Sequence, residues 1–84
     1  MGFTPAQRAI LVDLLIFGSN KAENIAHRTN NHPNSISKYT NRMVDQGYLE
    51  PKGGGVYRLT DKGRRAAEGM VLSGDLPYGT DDDD

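Results

Sequence analysis

The sequence predicts a small, mostly helical α+β domain, with a three-helix core, a two-stranded hairpin tipped by glycine and a short C-terminal helix. Three observations predict it. Two stretches open on helix-start signals and stop at glycine. A run of three glycines, Gly53, Gly54 and Gly55, separates two extended segments. The 84 residues leave room for one modest core, because a chain this short hides only about 60% of the surface its unfolded form exposes.

Thr4, Pro5 and Gln7 carry the first start signal: Thr at the N-cap, Pro at the first helical position and Gln where a capping box needs it. The first helix is therefore expected from Pro5 to about Phe17, stopped by Gly18. At 100° per residue, Ile10, Leu11, Leu14 and Leu15 share one face, while Val12 and Ile16 point to another that needs its own partner. Asn20 and Glu23 repeat the cap pattern, and Ala22, Ile25, Ala26 and Thr29 supply the spacing of a short second helix. Thr29 to His32 is a polar turn, and Pro33 opens a third helix with Ile36, Tyr39, Thr40, Met43 and Val44 on its inner face. Gly47 is placed as its C-terminal stop.

Tyr48 to Lys52 and the alternating Val56 to Leu59 form the hairpin strands. Thr60 caps a last helix expected to reach about Met70, weakened by Gly63 and Gly69. Residues 1–70 are thus one domain, and 71–84, ending in four aspartates, are expected to be an acidic, disordered tail.

Charge is unevenly spread. Between Asn20 and Arg65 nine Lys or Arg face four acids, a net +5, whereas the rest of the chain carries -6. The overall -1 conceals a basic centre, the electrostatic footprint of a nucleic-acid binder. No run of apolar residues approaches the roughly 18 a membrane span needs. Cysteine is absent and no secretory leader is evident, so a cytoplasmic location is expected. His27 and His32 have no thiol or clustered carboxylate beside them, so neither a metal site nor a cofactor is expected. No nucleophile, base and orienting acid can be assembled, and the chain is not expected to be an enzyme. The glycine run lacks the Gly-Lys-Ser/Thr ending of a phosphate loop.

The third helix carries the functional reading. Asn34, Lys38 and Asn41 lie opposite its apolar face, flanked by Ser35, Ser37 and Arg42, so its first two turns expose amides, hydroxyls and cations without an acid. Such a face suits the major groove: Asn pairs with adenine, Lys or Arg with guanine, and Ser reaches bases or phosphates. Lys52 and Arg58 flank the glycine tip, where Gly53, Gly54 and Gly55 let the backbone approach a phosphate chain or a minor groove. Lys21, Arg28, His32, Arg64 and Arg65 are candidate phosphate contacts, His32 alternatively a helix cap. Tyr48 and Tyr57 read as core residues.

Two segments, AHRTNNHPNSISKYTNRMVDQGYLE from Ala26 to Glu50 and VYRLTDKGRR from Val56 to Arg65, together resemble the winged helix-turn-helix regulators of archaea and bacteria, especially small MarR-like and haloviral repressors. The resemblance implies a double-stranded DNA partner, a repressor role and an archaeal or viral source. The chain departs from the family pattern at Thr29 and Asn31, where relatives carry Leu and Val, so a looser or longer turn is expected. A homodimer on an inverted repeat follows because one such domain makes few base contacts. Val12, Ile16, Val71 and Leu72 are the candidate dimer contacts. The alternative is a protein-interaction module whose acidic tail docks on a basic partner.

Overall fold

The computed structural model describes residues 2–74. α1 (Pro5–Phe17) opens on the expected reciprocal cap: the Thr4 hydroxyl accepts from the Gln7 N–H while Gln7 Oε1 accepts from the Thr4 N–H. It ends at Gly18, whose N–H donates to the Leu14 carbonyl.

Asn20, the expected cap of the second helix, instead pairs with the hairpin. Together with Lys21 it forms β1 (Asn20–Lys21), and its side-chain carbonyl accepts from the Lys21 N–H and from Asn24 Nδ2. α2 (Ala22–Thr29) therefore starts at Lys21 without a side-chain cap. Asn30 adopts the left-handed conformation (φ 57°) and the Asn31 N–H reaches back to the Ala26 carbonyl. The turn spans three residues, so of the looser or longer turn expected the longer one does not form. Its polar side chains hold it: Thr29 Oγ1 donates to the Ile25 carbonyl and Asn31 Nδ2 to Thr29 Oγ1.

α3 (Pro33–Asp45) begins at His32, whose Nδ1 accepts from the Asn34 N–H at 3.1 Å. It closes on Gly47 at φ 87°. There the Gly47 N–H donates to the Val44 carbonyl and the Tyr48 N–H to that of Met43, a double closure that an L-residue enters only with strain. Lys62 adds a donor to the Gln46 carbonyl, with its ammonium 4.5 Å from the centroid of the Tyr48 ring.

β2 (Leu49–Gly53) and β3 (Val56–Leu59) pair antiparallel in a register symmetric about Gly54, with Leu49 opposite Leu59, Glu50 opposite Arg58 and Pro51 opposite Tyr57, then an irregularity before Gly53. β1 pairs with the other side of β3, so the sheet has three strands in the order β1-β3-β2 rather than the two expected. α4 (Asp61–Leu72) starts at Thr60, whose hydroxyl accepts from the Gly63 N–H. It runs two residues beyond Met70, so Val71 and Leu72 are helical. The remainder of the proposed tail, from residue 75 on, lies outside the described residues.

α1 is the hub. α2, α3 and α4 all pack on it, so the face of Ile10, Leu11 and Leu14 is covered inside the chain and so is Val12 from the second face, whereas Ile16 is not. Ile10, Leu11 and Val12 are fully buried with Ile25, Ile36 and Met43. Val12 therefore cannot be a dimer contact: the partner its face needs is supplied by the chain's own helices. Ile16, Val71 and Leu72 remain exposed, Leu72 at 87%. Three helices, a tight turn between the second and third, and a hairpin over which the last helix packs make this a winged helix-turn-helix fold.

Candidate nucleic-acid interface

The inner side of α3 is fixed by Ile36, Thr40 and Met43, all completely buried. Thr40 is satisfied locally, its hydroxyl donating to the Ser37 carbonyl. That anchoring turns the opposite side outward, and Asn34, Ser35, Ser37, Lys38, Asn41 and Arg42 are all exposed. Asp45 and Glu50 are the nearest acids along the chain, and Asp45 sits at the far end of the helix. Pro33 and the His32 cap set the N-terminal turn of the helix without any acidic side chain.

The hairpin meets this face through one side chain. Tyr57 in β3 donates from its hydroxyl to Asn41 Oδ1 at 3.1 Å. Sequence reasoning places Tyr57 in the core. The structure leaves it half-buried, its ring against the core and its hydroxyl on the outward side of α3. The two residues are 16 apart in the chain, and nothing in local spacing announces that contact.

Lys52 and Arg58 flank the glycine tip as expected, but they differ. Lys52 is exposed. Arg58 lies opposite Glu50, and its Nε donates to Glu50 Oε2 at 2.9 Å. Both side chains are about half exposed (51% and 44%), so the pair is a weak surface one that leaves Arg58 accessible but partly neutralised. Both cations border a groove of about 610 Å³ whose lining mixes Arg64 with the acids Glu50 and Asp61 and with Leu14 and Leu15.

The remaining candidates separate by structure. Arg28 is withdrawn from the phosphate set. It donates from Nε and Nη2 to the two carboxylate oxygens of Asp13 at 2.8 and 2.7 Å, and its guanidinium carbon lies 4.6 Å from the centroid of the Phe17 ring. Asp13 is fully buried, so this cation is committed to holding α2 on α1. His32 acts as the α3 cap, the alternative its position allowed. Lys21, Arg64 and Arg65 are exposed, Lys21 beside the hairpin in β1 and the two arginines in the first half of α4. Among the described residues, no group of three His, Cys, Asp or Glu is placed to hold a metal ion, and no helix is long and apolar enough to cross a membrane.

No protein-family model and no curated protein sequence matches the chain. Among solved structures its fold is similar to that of a double mutant of ZitR from Lactococcus lactis, with a TM-score of 0.75 and 18% identity over 89% of this chain. The chain spans about half the length of that protein, 55% of it. The likeness bears out the winged-helix architecture. It comes from a bacterial protein and does not extend to the archaeal or haloviral type that the sequence resembles.

Proposed function

We propose that this chain binds double-stranded DNA sequence-specifically and regulates transcription, as a repressor, with α3 in the major groove and the hairpin along the backbone or in the adjacent minor groove. The observation that carries the reading is the outward face of α3: six exposed amide, hydroxyl and cationic side chains over the first turns, with no acid among them. The architecture supports it, since in helix-turn-helix proteins the second helix of the motif enters the major groove.

Roles divide by chemistry. Lys52, Lys21, Arg64 and Arg65 are suited to phosphates, which give affinity and orientation without sequence information. Asn34, Lys38 and Asn41 are suited to base edges, with Ser35, Ser37 and Arg42 beside them. The test is a fluorescence-anisotropy titration against a selected site and random duplex at two salt concentrations. Lys52→Ala is expected to weaken binding to both and to lower the salt slope by about one unit. Lys38→Ala is expected to relax discrimination at one base pair by ~1 to 3 kcal/mol. Equal loss on both duplexes for Lys38→Ala would remove it from base readout, and no salt-sensitive duplex binding by the wild type would end the DNA reading.

The same reading includes a homodimer on an inverted repeat. Exposed Ile16, Val71 and Leu72 support it, the last two bordering a shallow apolar depression with Leu15. Ile16→Asp combined with Leu72→Asp is expected to halve the mass in sedimentation velocity while leaving the far-ultraviolet circular-dichroism spectrum of the folded chain unchanged. An unchanged mass would place the contact elsewhere or leave the chain a monomer.

A further inference from the structure

The bond between Tyr57 and Asn41 bears on which base the recognition helix reads, an inference that rests on the DNA reading above. An Asn side chain ordinarily suits adenine, because its carbonyl accepts from the N6 amino group while its amide donates to N7. Here one lone pair of the carbonyl is already engaged. The Tyr57 hydroxyl donates to Asn41 Oδ1, which turns that oxygen toward β3 and leaves the Nδ2 amide as the group not taken up by the hairpin. Asn41 itself is exposed, and Tyr57 is anchored by packing against the core, so the orientation is imposed by the strand on the helix.

We propose that Tyr57 is a positioning residue that sets base preference: by holding the Asn41 amide with Oδ1 toward the hairpin, it makes Asn41 present its amide donors to the groove, matched to the acceptors of guanine, O6 and N7. Adenine offers one acceptor and one donor on that edge, and its N6 amino group faces an amide that presents donors. The hairpin thereby takes part in sequence choice without touching a base. Its ordering of Asn41 before binding also removes part of the cost of fixing that side chain in the complex.

The experiment has three arms. Asn41→Ala, compared with wild type over single-position variants of a selected site, locates the base pair that Asn41 reads. At that position the wild type is expected to favour guanine over adenine by about threefold to tenfold, the worth of one net hydrogen bond. Tyr57→Phe keeps the ring and frees Oδ1, and is expected to move the preference toward adenine while leaving binding to random duplex unchanged. In the Asn41→Ala background the same substitution is expected to have no effect on preference. Adenine preferred by the wild type, or a folded Tyr57→Phe protein that keeps its guanine preference, would overturn the assignment. Should Tyr57→Phe fail to fold, an adenine preference in the wild type still overturns the assignment, and Tyr57→His, which keeps an aromatic ring but moves the donor, takes the place of the variant arm. A wild type with no salt-sensitive duplex binding overturns the DNA reading itself, a result the variant arms cannot mimic.

Discussion

Arg28→Met is expected to destabilise the domain by about 3 kcal/mol or more, the usual cost of removing one partner from a buried ion pair. Asp13 is fully buried in the middle of α1, and Arg28 meets both of its carboxylate oxygens in a fork that only a guanidinium supplies. Methionine preserves much of the aliphatic volume but takes two charge-assisted bonds from a carboxylate that water cannot reach, together with the contact to the Phe17 ring. For a domain this size each kcal/mol shifts the melting temperature by about 4 to 8 °C, so a fall of at least about 12 °C in a circular-dichroism melt is the expected reading. Asp13→Leu combined with Arg28→Met should recover most of that loss, because the pair's attraction largely offsets its own desolvation. A single variant that melts within about 3 °C of the wild type would show that the pair is dispensable.

Gly63→Ala is the second large effect, and its sign runs against helix propensity. In an exposed helix interior the change gains about 1 kcal/mol. At Gly63 an added Cβ runs into the Tyr48 backbone carbonyl and comes within 3.2 Å of Leu59 Cδ2. That carbonyl also accepts the Thr60 N–H, so it cannot swing aside without losing that bond. Relief requires α4 to move off the hairpin, at an expected cost of about 2 to 3 kcal/mol. Gly69, six residues along the same helix, has nothing within 4 Å of the corresponding position. Gly69→Ala should therefore stabilise by about 0.5 to 1 kcal/mol. Denaturant midpoints of the two variants should fall on opposite sides of the wild type; a gain at Gly63 would mean that α4 does not pack this closely.

The contrast between those glycines shows what kind of information the chain carries on its face. Signals confined to four or five neighbouring residues are legible: the Thr4–Gln7 cap, the stop at Gly47, and the hairpin about its glycine tip all form as their local chemistry requires. Gly63 and Gly69 look alike in sequence because the difference between them is the distance to Tyr48, fixed only when the hairpin docks. Val12 is similar. Helical spacing separates it from the first apolar face, but not whether this chain or another covers it. β1 has two residues, too few for any alternation, and exists only because β3 lies alongside. Arg28 reads as one more surface cation until Asp13, 15 residues earlier, proves to be buried beneath it. On the outward face of α3 the exposed positions follow directly from the period of the apolar ones, whereas the Tyr57 contact depends on where the strand register sets that hydroxyl.

The irregular end of β2 has a consequence for solubility. β2 is an outer strand of the sheet, and the flank away from β3 has no neighbouring strand among the described residues. An unpaired strand flank is a template on which another chain can add, the first step toward edge-to-edge aggregation. Here Pro51 offers no N–H, Lys52 places a charge beside it, and the register breaks before Gly53. Each feature denies an incoming strand a regular ladder. The hairpin is thereby guarded against growth by strand addition, even though its tip is exposed and rich in backbone polar groups.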